Sequence, residues 1–169
     1  MLRITPAVGA DEAEIVALRH AAEDWLAARK IVQWTPREIP ASIIRAQIAA
    51  GEFFVARFPE HRPIIGAVRL LWRDPVVWRH DDRFAGYVHS LIVDRSHAGG
   101  GIGATLVAWA ERTARQAGAK VLRLDCVAAN PALCEYYRRL GFTEVGGRDF
   151  DNGWRSVALF ERPIQNREA

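Results

Sequence analysis

Hydrophobic positions along this 169-residue chain change period several times, and each change marks an element. Apolar residues first recur at helical spacing between Asp11 and Arg29, where Ile15, Leu18, Ala22, Trp25 and Leu26 share a face and Asp11 stands as a cap. A short strand, MLRIT, precedes them. The TPRE stretch from Thr35 to Glu38 has the pattern of a capping box with proline at the first helical position. Pro40 interrupts it, so the helix carrying Ile43, Ile44 and Ile48 starts either there or later. EFFVAR and PIIGAVRLLW then read as two strands joined by a turn around Pro59 to Pro63, and DPVVWRHDDR as a polar loop or hairpin end.

The strongest strand is AGYVHSLIV, Ala85 to Val93, whose unbroken apolar end fits burial on both faces. Beyond it Ile102, Leu106, Ala110, Thr113 and Ala117 make a helical stripe that Gly118 closes. KVLRLDCV is a further buried strand. Pro131 to Leu140 is a short helix with Leu133, Tyr137 and Leu140 on one side, and GFTEVG and WRSVALFE are the last two strands. The order β-α-α-β-β-β-α-β-α-β-β, without repeats or linkers, describes one mixed α/β domain over residues 1–169.

Composition narrows the function classes. Half the residues are hydrophobic and a quarter charged, as in ordinary globular proteins. No apolar run is long enough for a membrane span, and the start lacks the apolar centre of a signal peptide, so a cytoplasmic location is expected. Cys126 and Cys134 match no disulfide framework or metal-ligand spacing, and no metal is expected. The net charge of +3 suits an anionic small ligand; arginines scattered among carboxylates do not make a nucleic-acid surface.

Between the strongest strand and the helical stripe lies HAGGGIGATL, with four glycines in five positions from Gly99 to Gly103. Glycine is a poor helix starter, so its concentration there needs a reason. One is a flexible turn. The other is close backbone approach by a phosphate, because a helix N-terminus leaves about four N–H groups unsatisfied and carries roughly half a positive charge. A dinucleotide fold would use such glycines together with an acidic residue such as Asp125, 22 residues after Gly103. Against it, Leu106 stands where the third fingerprint glycine belongs. Asp94 to His97 separate the strand from the glycines, and too little chain follows Asp125 for a doubly wound sheet.

The segment LIVDRSHAGGGIGATLVAWAERTARQAG followed by NPALCEYYRRLGF resembles the GNAT superfamily of acyl-CoA-dependent N-acyltransferases. That resemblance is specific from Tyr87 to Phe142. It implies a central, mostly antiparallel sheet of about seven strands with a splayed parallel pair, flanked by about four helices. It also implies transfer of acetyl from acetyl-CoA to a small-molecule or peptide amine within a ternary complex, in a monomer or homodimer, without nucleic acid or membrane. A non-catalytic acyl-CoA-binding sensory module of the same fold is the alternative.

By the same resemblance Ala98, Gly99, Gly100, Gly101, Ile102, Gly103, Ala104 and Thr105 hold the pyrophosphate. Leu91, Ile92 and Val93 offer backbone groups to pantetheine, as does Asn130 from its side chain. Ala98 departs from the family pattern, which has Arg or Gln there, so the backbone amides carry more of the phosphate contact. Amine attack on a thioester needs a base, an oxyanion donor and an acid. Tyr137 matches the family's acid, a phenol near pKa ~10 facing a thiolate whose conjugate acid lies near ~8.5; a core aromatic is its other reading. His89 is the titrating side chain of the strongest strand near neutral pH, either as base or as a hydrogen-bonded structural histidine, on a face shared by alternation with Tyr87, Leu91 and Val93. Trp34, Asp149 and Asp151 stand in the two segments that would meet the acceptor.

Overall fold

The computed structural model describes residues 2–79 and 83–165; His80 to Asp82, part of the segment read as a loop, lie outside them. Seven strands form one sheet: β1 (Arg3–Pro6), β2 (Phe53–Arg57), β3 (Gly66–Leu71), β4 (Ala85–Val93), β5 (Val121–Val127), β6 (Thr143–Arg148) and β7 (Val157–Pro163), in the order β1-β2-β3-β4-β5-β7-β6. Among the described residues four α-helices accompany them: α1 (Glu12–Ala28), α2 (Ala41–Ala49), α3 (Ile102–Gln116) and α4 (Pro131–Arg139). Among the described residues no helix is long and apolar enough to cross a membrane. The chain divides into two compact units, residues 1–70 with 90–109 and residues 71–89 with 110–169.

In the first unit β1, β2 and β3 pair antiparallel, with Ile4 opposite Ala56 and Val55 opposite Ala67. Ile15 and Leu18 of α1 and Ile44 and Ile48 of α2 pack with Phe53, Val55 and Ile92. Ile15, Val55 and Ile44 are essentially inaccessible, each burial worth about 1.5–3 kcal/mol.

The helix that TPRE announces does not begin there. Arg37 takes a left-handed φ of 63°, and its N–H donates to Glu23 Oε2 at 2.8 Å. Pro40, extended at ψ 150°, then caps α2. The reason is a carboxylate inside α1. Glu23 is fully buried, receives Arg19 Nε at 2.7 Å and Arg37 Nη1 at 3.3 Å, and so pulls the 35–38 segment into a turn. A buried acceptor held by several donors outweighs a local capping preference.

In the second unit β5 is the central strand. It runs antiparallel to β7 over its whole length, from Val121–Pro163 to Val127–Val157. With β4 it pairs parallel over four residues only, Ala85–Val121 to Val88–Leu124. Two residues past the end of that ladder, Ser90 adopts φ 48° inside β4. A left-handed residue within a strand displaces the side-chain period, so the alternation expected to put Leu91 and Val93 on the face of Tyr87 is interrupted at Ser90. The parallel pair therefore parts where His89 stands. Arg123 of β5 is almost wholly buried, yet its charge is met: Nε lies 3.3 Å from Glu161 Oε2, Nη1 donates to Tyr87 Oη at 3.1 Å, and Trp78 stacks at 4.7 Å.

Removing one partner of a buried pair strands the other. Glu23→Gln should lower the unfolding free energy by about 3 kcal/mol, the lower end for such a loss, because Glu38 still faces Arg19 at 3.3 Å. Glu12→Gln, which loses the exposed contact to Arg45, should leave the denaturation midpoint almost unchanged. Urea unfolding of both variants checks the pair.

Candidate functional site

The glycine segment belongs to the first unit. Asp94 accepts from Ser96 N–H at 2.8 Å and Ser96 Oγ at 2.6 Å, fixing the single 3-10 turn at Arg95–His97. Those two hydrogen bonds, the hydroxyl's first, hold its carboxyl below the usual range. The chain then passes through Gly99 at φ 83° and Gly101 at φ 74°, conformations that side chains rarely adopt, before α3 begins at Ile102. A Cβ built at either glycine meets nothing within 4 Å. Backbone conformation, not crowding by the protein, demands glycine here, and open space lies over the loop.

The first turn of α3 contains no acidic residue. Thr105 returns both its N–H (2.9 Å) and its hydroxyl (3.0 Å) to Gly101 O, closing that turn. Ile102 and Leu106 are buried and anchor the helix. The result is a rigid helix start with unneutralised N–H groups, suited to a phosphate. Leu91, Ile92 and Val93 lie in the same unit. So does Trp34, which packs on the core with Arg19 over its ring at 4.4 Å.

His89, Asn130, Tyr137, Asp149 and Asp151 lie in the second unit. Asn130 is buried, and its Oδ1 accepts from Leu133 N–H at 3.2 Å as the cap of α4. Tyr137, 6% exposed, has the rings of Tyr136, Phe142 and Phe160 at 5.5, 6.1 and 6.0 Å. Burial raises its phenol well above the ordinary value and keeps the proton on it. Cys126 and Cys134 are buried thiols with sulfurs 3.5 Å apart. Asp149 accepts from Ser156 Oγ, and Asp151 is exposed in the turn beyond.

His89 is the best-defined group. Its Nε2 lies 2.9 Å from Asp74 Oδ2, and because a carboxylate only accepts, that nitrogen carries the hydrogen. Its Nδ1 lies 3.8 Å from Asp125 Oδ1. Asp125 Oδ1 is itself buried without a hydrogen-bond partner among the described residues. Burial raises the Asp125 carboxyl above its usual range, against the opposing pull of His89. The donor atoms of Asp74, His89 and Asp125 lie within 4.8 Å of one another, a spacing that could also hold a metal ion. Asp74 further lines a cavity of about 540 Å³.

Sequence reasoning missed Asp74 altogether and weighed Asp125 only as a ribose partner. The available signal was Asp125 itself, the one carboxylate in an otherwise apolar and arginine-bearing strand. Nothing in DPVVWRHDDR distinguishes Asp74 from the other acids of that loop.

Comparison with known proteins shows the family and the fold. Residues 19–142 match the acetyltransferase (GNAT) family. The uncharacterized N-acetyltransferase YesJ of Bacillus subtilis (strain 168) is 34% identical over 149 residues, covering 83% of this chain and 81% of that protein. A GNAT-family acetyltransferase from Listeria monocytogenes 4b F2365 superposes with a TM-score of 0.78 at 22% identity, over 96% of this chain and 95% of that one. The structure of yncA from Salmonella typhimurium with its cofactor acetyl-CoA superposes with a TM-score of 0.69 at 20% identity, over 100% and 97%. These structural likenesses speak for the fold. The match over residues 19–142, reinforced by a relative that shares a third of its residues across most of both chains, assigns the chain to the GNAT acetyltransferase family.

Proposed function

We propose that this protein is an N-acetyltransferase that moves acetyl from acetyl-CoA to a primary amine by direct attack in a ternary complex. The observation that carries the reading is His89, held through Nε2 by Asp74 at 2.9 Å and faced at Nδ1 by Asp125. With the hydrogen on Nε2, the neutral ring keeps its lone pair on Nδ1. That nitrogen removes the proton from the incoming ammonium. Asp74 holds the tautomer and ring orientation, and Asp125 stabilises the imidazolium that results.

Acetyl-CoA supplies a thioester whose acyl carbon the amine attacks. The amides from Gly99 to Ala104 and the start of α3 bind the pyrophosphate, with Ala98 adding no side-chain contact. Leu91 to Val93 offer backbone donors and acceptors to pantetheine as an added strand would, and one of those amides serves the oxyanion. Asn130 adds a side-chain contact to the pantetheine arm. Tyr137 keeps its proton until a thiolate needs it, then donates. Trp34, Asp149 and Asp151 flank the acceptor. The work is done by one domain, acting as monomer or homodimer inside the cell.

Three sets of variants test these roles. Gly101→Glu should abolish CoA binding by calorimetry, because a carboxylate meets the pyrophosphate. Gly101→Ala, which shares the strain of a left-handed φ (about 1–2 kcal/mol) but not the charge, should bind CoA measurably. Equal affinity for CoA in wild type and Gly101→Glu would remove the cradle.

Tyr137→Phe keeps the ring and its packing, so acetyl-CoA affinity should stay within a few fold while turnover falls by ~10² to 10⁴, as for loss of a positioned acid. Tyr136→Phe should do little. Equal losses in both, with weakened folding, would mark Tyr137 as a packing residue. Acetyl-CoA binding without thiol release on any amine would mark a sensory module.

His89→Gln should cut turnover by ~10² to 10⁴ with acetyl-CoA affinity intact. For Asp125 the sign runs toward instability. Its folded-state pKa lies above the unfolded value, so its cost to stability is absent below the ordinary carboxyl range and grows as pH rises through the raised pKa. Asp125→Asn should therefore match or exceed the wild-type Tm at neutral pH, lose that advantage in acid, and turn over more slowly. Thermal unfolding from acid to neutral pH reads the first part and steady-state rates the second.

A further inference from the structure

The cavity that Asp74 lines has a charge that the acetyl-transfer chemistry alone does not explain. Its wall includes Trp72, Trp78, Arg73, Arg79, Arg148 and Asp74. Arg73, Arg79 and Arg148 make no ion pair among the described residues. The carboxylate of the group, Asp74, is engaged by His89. Arg148 is the most telling. It is partly buried, its Nη1 donates at 3.3 Å to Val77 O, and its Nε is buried without a partner among the described residues. A partly buried guanidinium that has gained one neutral carbonyl and the face of Phe150 at 5.3 Å, with its Nε still lacking a hydrogen-bond partner among the described residues, is under-compensated, and a carboxylate or phosphate oxygen is the group that restores the balance.

Aromatic surface supplies the rest. Trp72 is 39% exposed and lies 5.7 Å from the ring of Phe84, while Trp78 lies 6.0 Å from that of Tyr87. Such walls take a flat or apolar body, and the arginines disfavour a second positive charge. Asp74 lines the cavity and contacts His89 Nε2 at 2.9 Å, so one side chain links a ligand seated there to the base.

We propose that the cavity selects the acceptor, and that the acceptor is a primary amine whose apolar or aromatic body carries an anionic group, bound through Arg148 with Arg73 and Arg79. This rests on the acetyl-transfer reading of the same site. It excludes polyamines and other polycations as preferred acceptors.

The test compares matched amines: L-phenylalanine against phenethylamine, 4-(aminomethyl)benzoate against benzylamine, with spermidine as the cationic probe. Thiol release from acetyl-CoA gives kcat/KM, and calorimetry with CoA present gives binding without turnover. At least one anionic member should exceed its neutral counterpart by about tenfold or more in both readings, the size of a charge-assisted hydrogen bond. Arg148→Gln should raise KM for the anionic amine by about tenfold more than for its neutral counterpart, erasing the preference, with acetyl-CoA affinity retained. Arg73→Gln, at an exposed position, should reduce it without any change in folding. Turnover that favours neutral amines or spermidine would overturn the acceptor class and leave acetyl transfer standing. Selective binding of the anionic amines with no thiol released would do the reverse, and equal binding of both members of each pair would overturn the acceptor class whatever the turnover.

Discussion

A parallel ladder that stops after four residues is the constraint on which the surroundings of His89 rest. Between Val88–Leu124 and the end of β5 the strand stays fully paired with β7 but no longer with β4. The next position on each strand is a titrating side chain instead of another hydrophobe, His89 on one and Asp125 on the other, and they face one another at 3.8 Å. Ser90 holds the departure in a left-handed conformation that costs about 1–3 kcal/mol and persists only where surroundings over-determine it. Backbone strain, a carboxyl oxygen with no hydrogen-bond partner among the described residues and an imidazole thus collect within two residues of one point. Beside it, β5 stays paired with β7 over its whole length.

The elements were largely legible because their periods are clean. The apolar stripe of α3 and the uninterrupted burial of β5 predicted a helix and a strand that the fold contains. The glycine segment was legible for a local reason, since left-handed φ values at Gly99 and Gly101 are a demand that sequence states directly. What escaped is non-local. TPRE carries every local sign of a helix start, yet Glu23, fourteen residues upstream of Arg37, captures its backbone N–H. Asp74 reaches His89 across fifteen residues of loop and strand, and no periodicity records such a meeting. Burial of Arg123 is hidden in the same way, because its acceptors come from β4 and β7.

The acids of this protein divide by what they are asked to do. Glu23 and Glu161 are spent on buried guanidiniums and hold backbone or side chains in place. Asp94 orders the turn that leads into the glycine loop. Asp74 and Asp125 share one histidine, and among the described residues Asp125 is the one of the two left with a buried oxygen lacking a donor. Similar residue types thus serve as bolts in one place and are left short of donors in another, with environment alone deciding.

Trp25 carries two guanidiniums, Arg29 at 4.3 Å and Arg95 at 3.7 Å from its ring. Neither makes an ion pair among the described residues. An ion pair cancels its own distant field, whereas a stack on an indole holds a cation in place and leaves its field intact. Arg95 stands three residues before Ala98, where the family pattern has a basic or amide side chain. The ring therefore works as an electrically transparent mount: it fixes two positive charges, one of them close in sequence to the glycine loop, without spending a carboxylate to do so.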